Sequence, residues 1–185
     1  MSQQSEKEDN SNIDPQSHGF VQFSNGDSYH GEISNGKKNG QGEYKFSNGD
    51  VYNGNFVDGL FNGHGTYHYA NNNNTYSGEW VKGKKSGKGK MEYGNGDVFE
   101  GEYTEGEIVN GTFIFSNGEK YIGDFFLGKF QGKGTYYYLN GDVYEGEWMN
   151  DMRNGEGKYI FNDKSEIEGT WKDNKPMKKS DDNTN

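Results

Sequence analysis

The stretch NGDVYEGEW, Asn140 to Trp148, decides how this chain is read, because Asn95 to Tyr103 writes it again as NGDVFEGEY. Two aromatic-for-aromatic exchanges separate the copies. Within the phrase, Tyr144, Gly146 and Trp148 share one parity and Glu145 and Glu147 the other. That alternation marks a strand with one packed face and one wet face. Asn140-Gly141-Asp142 ahead of it is a tight-turn signal, because Asn and Gly tolerate positive φ.

Working outward, the same phrase recurs along the chain. It reads Tyr29-Gly31-Ile33, Tyr52-Gly54-Phe56, Tyr76-Gly78-Trp80, Phe99-Gly101-Tyr103, Tyr121-Gly123-Phe125, Tyr144-Gly146-Trp148 and Ile167-Gly169-Trp171. The first positions lie 23, 24, 23, 22, 23 and 23 residues apart. A second phrase follows in step: Gly40-Gly42-Tyr44, Gly63-Gly65-Tyr67, Gly87-Gly89-Met91, Gly132-Gly134-Tyr136 and Gly155-Gly157-Tyr159. The fourth unit is one residue short and keeps only Gly111 before Phe113. Six full units of about 23 residues stand between half-units that begin at His18 and end at Trp171.

Each unit predicts a hairpin. The expected fold is all-β: an elongated, single-layer antiparallel meander of about seven stacked hairpins over residues 18–171. Regular glycine in a strand marks close approach by something else, so each is expected to floor a slot filled by a neighbouring ring. A local kink or bulge is expected at the short fourth unit, at the extra Asn in 71–74 and at Asn162-Asp163-Lys164. Residues 1–17, acidic, and 172–185, charged, read as tails without structure of their own. The end strands leave unpaired backbone, open to edge pairing with another chain, a second copy included.

Composition narrows the function classes. Only 28% of the 185 residues are hydrophobic while 16% are aromatic, so rings must build most of any core. The net charge of -10 argues against nucleic acid and disfavours an anionic membrane surface. There is no cysteine, hence no disulfide framework and no thiolate chemistry. No apolar run is long enough to span a bilayer, and the polar start MSQQSEKEDN does not read as a secretory signal.

The full pattern, Tyr-x-Gly-x-Trp-x-x-Gly-x-x-x-Gly-x-Gly-x-Tyr-x-Phe-x-Asn-Gly-Asp, resembles the MORN repeat family. YSGEWVKGKKSGKGKMEYGNGD, Tyr76 to Asp97, follows it almost position by position. The resemblance covers residues 18–171 and implies a twisted run of antiparallel hairpins. It also implies settings: short stand-alone members are similar to components of ciliary axonemes, radial-spoke heads included, and of cortical or basal cytoskeletal rings. Others tether membranes or accompany kinase or methyltransferase domains.

No motif points to catalysis, and no cofactor is expected. GKKSGKG at 83–89 lacks the Gly-x4-Gly-Lys-Ser/Thr spacing of a phosphate loop, and no helix follows it. His30, His64 and His68 share the wet parity without a metal-ligand motif. Glu79, Glu102, Asp124 and Glu147 form a carboxylate ladder opposite Lys88, Lys90, Lys133 and Lys158, which reads as cross-strand charge pairing. Two surfaces are singled out for partners. One is the aromatic face of Tyr52, Phe56, Tyr76, Trp80, Phe99, Tyr103, Tyr121, Phe125, Tyr144 and Trp148, whose large rings with few rotors suit an interface. The other is the lysine cluster Lys82, Lys84, Lys85, Lys88 and Lys90, suited to an acidic protein or a lipid headgroup. The expected function is a non-enzymatic protein-interaction scaffold in a larger cytoplasmic, cytoskeletal assembly, with a ciliary axoneme as the leading setting. The alternatives are phosphoinositide binding at a membrane and the anchoring of an enzyme.

Overall fold

The computed structural model describes residues 17–178; the expectations for 1–16 and 179–185 lie outside them. Among the described residues there are fifteen strands and no helix. They run β1 Ser17–Gln22, β2 Ser28–Ser34, β3 Lys37–Lys45, β4 Val51–Val57 and β5 Leu60–Tyr69. There follow β6 Asn74–Val81, β7 Lys84–Glu92, β8 Val98–Thr104, β9 Glu107–Ile114 and β10 Lys120–Phe126. The last are β11 Lys129–Tyr137, β12 Val143–Met149, β13 Met152–Ile160, β14 Glu166–Lys172 and β15 Lys175–Pro176. Each pairs antiparallel with the next, so spatial order equals chain order in one sheet. The all-β single-layer meander read from the period is the fold. Sheet structure runs past the boundary read at Trp171, since β14 ends at Lys172 and β15 pairs Lys175 with it.

A single layer has no opposing sheet, so it must roof its own apolar face. It does so with the glycine pairs. Gly54 faces Gly65 across β4 and β5, and a Cβ on Gly65 would run into the Tyr52 ring. The same slot recurs at Gly42 under Tyr29, Gly89 under Tyr76, Gly134 under Tyr121 and Gly157 under Tyr144. The ring therefore comes from the same hairpin's first strand rather than from a neighbouring unit. Lying flat, Tyr52 reaches over the slot and donates its hydroxyl to the Asn55 carbonyl at 3.0 Å. The next hairpin closes the roof. Trp80 packs edge-on against Tyr52 at 5.5 Å and donates Nε1–H to the Gly65 carbonyl at 3.2 Å. Trp148 does the same to Tyr121 and Gly134, at 5.4 and 3.0 Å.

Three features differ from the sequence reading. First, the within-unit hairpins, not Asn-Gly-Asp, are the two-residue turns with consecutive positive φ, as in Asp58-Gly59 and Lys82-Gly83. In Asn-Gly-Asp only the glycine is left-handed, and the Asn side chain accepts the Asp amide, 3.0 Å for Asn48 and Asp50. Second, bulging is the rule rather than a mark of irregular units. In the regular hairpins three residues of the second strand oppose one of the first, as at Asn55 in β4. The first glycine of Gly-x-Gly sits in that bulge with positive φ, 76° at Gly63. The short fourth unit has one extra residue there, Val109, and so dispenses with that glycine. Third, the extra Asn is absorbed in the turn at 70–73, where Asn73 takes positive φ, and Lys164 takes the glycine's left-handed place at 162–164. The ladders beyond both stay in register.

The turn carboxylates tie successive repeats together. Asp142 accepts the Tyr159 hydroxyl at 2.7 Å and the Asn162 amide at 2.9 Å. Asp27 holds Tyr44 and Ser47, and Asp50 holds Tyr67 and Ala70, in the same way. The hydroxyl of Tyr44 and the amide of Ser47 hold the Asp27 carboxyl below the usual carboxylate range, and the Tyr159 hydroxyl does so for Asp142. Burial and then the Asp27 carboxylate push Tyr44 up to about 12.

Two predictions follow from this packing. Gly134→Ala should cost roughly 1–3 kcal/mol in chemical denaturation, because the added methyl displaces the Tyr121 ring. Hydrogen exchange should rise mainly in β10–β12, since hairpins touch mainly neighbours; an unchanged midpoint would refute the slot. The pH profile has two limbs. Carboxylates lowered on folding contribute stability that is present above their unfolded pKa and lost as pH falls through the folded one. Phenols raised on folding contribute stability that is complete below about pH 10 and lost as pH climbs. Thermal melts should be flat from about pH 5 to 9 and fall on both sides. Asp27→Asn with Asp142→Asn should flatten the acid limb; if the two acid limbs superimpose, other groups titrate there.

Candidate interaction surfaces

The ten rings expected to meet a partner are the core. Tyr52, Tyr76, Phe99, Tyr121 and Tyr144 are fully buried, and Phe56, Trp80, Tyr103, Phe125 and Trp148 are no more than 6% exposed. The roofing just described consumes them, so no partner reaches them directly. Rings of the second strands remain half-buried above them, outside the partner face drawn from the Tyr-x-Gly-x-Trp phrase. They form a ladder. Phe23, Tyr44, Phe46, Tyr67 and Tyr69 make successive contacts at 5.7, 4.7, 5.6 and 4.4 Å. Beyond Met91 the ladder resumes from Tyr93 through Phe113, Phe115, Tyr136, Tyr138 and Tyr159 to Phe161. The alternating aromatics of Gly-x-Tyr-x-Phe are the sequence signal for it.

Cations are recessed into this face. At the place where Phe61 stacks flat on Tyr52 at 3.7 Å, other units carry Lys38, Lys85 or Arg153. Lys38 Nζ lies 4.1 Å from the Tyr44 ring centre, and Arg153 lies 4.6 Å from that of Trp171. Cations over desolvated rings are attracted by the ring quadrupole. Lys85 stands between Tyr69, Tyr76 and Tyr103, where burial lowers its pKa. Beside Lys38 an open pocket of ≈ 200 Å³ is lined by Tyr44, Phe46, Leu60 and Phe61.

The lysine cluster is not one patch. The bulge separates its members: Lys85 points into the rings, while Lys88 and Lys90 lie exposed on the opposite face. There they pair in register with Glu102 and Glu100 and line a broad shallow hollow with them. Lys90 also bridges Glu92, and Lys84 bridges Glu105, both at 2.5 Å and exposed. Lys82 sits in the hairpin turn. Five lysines read as an anionic-ligand site are thus dispersed over two faces and an edge, interleaved with acids.

The carboxylate ladder has a structural task that its spacing concealed. Glu79 accepts the bulge amide of Lys88 at 3.1 Å, Glu32 that of Gln41 at 2.8 Å, and Glu147 that of Glu156 at 3.2 Å. His64 opposes Glu79 and His68 opposes Thr75 across the β5–β6 ladder. Among the described residues no three His, Asp or Glu side chains converge on a metal-sized site. The open face is a charged sheet surface with shallow hollows, and what it offers chemically is surface recognition.

Comparison with known proteins agrees with this architecture. The MORN repeat description matches residues 29–51, 52–74, 76–98, 121–143 and 144–166. The fourth unit, shortened in its bulge, falls between matched segments. No curated protein matches the chain. Among solved structures, it is similar to the TCP domain of Drosophila melanogaster SAS-4 in complex with a proline-rich motif of Ana2. That match has a TM-score of 0.48 and 15% identity, over 92% of this chain and 99% of that one. A second structure of Drosophila Sas-4, its TCP10c domain, matches at 0.46 and 17%, over 82% and 91%. The TCP10 domain of Danio rerio CPAP, in complex with a STIL peptide, matches at 0.31 and 17%, over 82% and 93%. These likenesses are too distant to carry a partner across. The repeat itself is decisive: with five matched units over most of its length, this chain belongs to the MORN repeat family.

Proposed function

We propose that the protein is a non-catalytic scaffold that holds partner proteins in line within a cytoskeletal assembly, with a radial-spoke-like complex of a ciliary axoneme as its setting. The observation that supports this most directly is the half-buried ring ladder. Two runs of Tyr and Phe lie along one face, rigid because their neighbours hold them and accessible because only their lower sides are packed. Large rings with few rotors bind at low entropic cost. Recessed Lys38, Lys85 and Arg153 add fixed positive charge to a chain that is otherwise acidic. An extended acidic-aromatic segment of a partner suits that combination. The family's stand-alone members in axonemes supply the setting.

Phosphoinositide binding has little support. The lysines that carried it are divided between faces and matched by Glu100, Glu102 and Glu105, and net charge opposes an anionic leaflet.

A tagged copy subjected to localisation and proximity labelling should mark cytoskeletal structural proteins. The Tyr69→Ala/Tyr93→Ala/Tyr138→Ala variant should lose that labelling while keeping its β-sheet circular dichroism. Diffuse distribution with no enriched neighbours, or labelling indifferent to the three rings, would count against the scaffold reading. Vesicles containing phosphoinositide should not co-sediment the protein. Salt-sensitive co-sedimentation abolished by Lys84→Glu/Lys88→Glu/Lys90→Glu would instead establish the lipid reading.

A further inference from the structure

The two ends of the sheet are complementary halves of one repeat. β14 is a first strand: Ile167, Gly169 and Trp171 stand where Tyr144, Gly146 and Trp148 stand one repeat earlier. Its second strand is barely begun: β15 pairs Lys175 with Lys172 and Pro176 with Trp171, and the Met177 amide donates to the Thr170 carbonyl at 2.8 Å, all at the hairpin end and short of Gly169. β1 is a second strand: Gly19, Val21 and Phe23 stand where Gly42, Tyr44 and Phe46 stand one repeat later. Among the described residues no strand lies beyond β1 or along the rest of β14. Residues 1–16 hold no aromatic-x-Gly-x-aromatic phrase that would continue the sheet.

The side chains at the two ends break the repeat rule in matching ways. At the position where Tyr29, Tyr52, Tyr76, Phe99, Tyr121 and Tyr144 are all 0–1% exposed, Ile167 is 40% exposed. Gly169 has nothing over it, unlike the equivalent glycine of every other hairpin. In an interior repeat three side chains close the slot, as the rings of Tyr52, Tyr67 and Trp80 do, with Met91 in the middle place in one repeat. The same three places at a junction would be filled by Ile167 of one copy and by Val21 and Ile33 of the next. Ile33 already reaches over Gly19, at 2.9 Å from where its Cβ would be. The polar partners are missing as a pair too. Interior turns set an Asp against a Tyr hydroxyl, as Asp142 does with Tyr159; here Ser165 replaces the Asp and Val21 the Tyr, so no bond is left unmade. Capping repeats of solenoids present polar outer faces, whereas these ends present Ile167 and Phe20, the latter 67% exposed.

We infer that copies of this chain join head to tail, β1 of one adding to the open edge of β14 of another. The interior register carries over directly. Gly19 pairs with Gly169, Val21 with Ile167 and Gln22 with Glu166, while β15 keeps the hairpin end, so the sheet of six full repeats continues across the junction through a seventh, composite repeat of about the usual geometry. An aliphatic cluster of three β-branched side chains, split between the two ends, replaces the ring cluster of the interior. The interface is heterologous, so it propagates as an open chain of copies rather than closing as a two-fold dimer.

Because the chain has no cysteine, a disulfide reports the junction cleanly. Opposed residues in an antiparallel ladder have Cα atoms about 4.5–5.5 Å apart, within disulfide reach. Under oxidation, Val21→Cys/Ile167→Cys should give a ladder of dimers, trimers and longer species on non-reducing gels. Val21→Cys or Ile167→Cys alone should stay monomeric, and their mixture should stop at the dimer. Sedimentation of the unmodified chain should show mass rising with concentration, a rise that Ile167→Glu abolishes without altering the β-sheet spectrum. A wild-type chain that stays monomeric at hundreds of micromolar, or single-cysteine variants that cross-link as readily as the double, would overturn head-to-tail joining.

Discussion

Everything in this sheet rests on laying a tyrosine flat over a pair of glycines. A single layer of strands has nothing to bury its apolar face against, and alternating aliphatics would leave that face wet. Removing two opposed Cβ atoms opens a floor into which a ring fits, as Tyr121 fits over Gly123 and Gly134. The hydroxyl then reaches the Asp124 carbonyl opposite the bulge, 3.0 Å away, and the ring back receives Phe130 stacked at 3.7 Å. One side chain thereby supplies burial, a backbone hydrogen bond and the platform for the next ring. This explains how a chain only 28% hydrophobic holds a core at all: the core is a chain of edge and stacked ring contacts one residue deep.

The constraint also explains why departures come in groups. In the fourth unit Phe99 stands for Tyr and so lacks the hydroxyl that crosses the slot. The bulge it would have bridged is shorter by residues, and the bulge glycine is gone with it. Tyr103 takes the place of Trp80 or Trp148, and its buried hydroxyl has no partner where the indoles reach the slot carbonyl. Met91 replaces a second-strand Tyr, and there the ring ladder divides. Each change removes a link that depends on another, which makes β7–β9 the seam of the array. The first-strand rings still cross it, Tyr76 to Tyr103 at 5.0 Å and Phe99 to Phe125 at 5.3 Å, so the seam thins the links between repeats without cutting them.

The period made the strands, their order and the packed parity legible, because each unit of about 23 residues carries two alternating aromatic-glycine phrases separated by turn residues, which is one hairpin per repeat. It did not reveal which carboxylates were structural. Glu79 acts on an amide nine residues away and Asp142 on one twenty away, distances that pattern reading treats as unrelated. The bulge was hidden for the same reason, and with it the parity of every lysine beyond it. Lys85 looked like a neighbour of Lys88, yet three residues packed against one turn the first into the rings and the second to solvent. The ten first-strand rings read as a partner face lie together in the core; that they are spent there follows from the slot, which needs both strands to be seen.

What remains for partners is what the packing rule leaves over. Interior first-strand rings are closed to contact, which leaves as accessible apolar surface the second-strand rings, whose outer sides no further layer among the described residues covers, and the ends, where the rule has no next repeat to satisfy. These two surfaces make different demands. The ladder repeats every hairpin and can hold a partner along its length, with the cations at Lys38, Lys85 and Arg153 setting uneven spacing that distinguishes one position from another. The ends do not repeat, and their exposed backbone would recruit any strand if side chains did not discriminate. An aliphatic Ile167 facing a slot built for an aliphatic partner, in a sheet where an aromatic ring covers every interior slot, supplies that discrimination by shape: an interior-type strand presenting Tyr would find no Asp at Ser165 to take its hydroxyl.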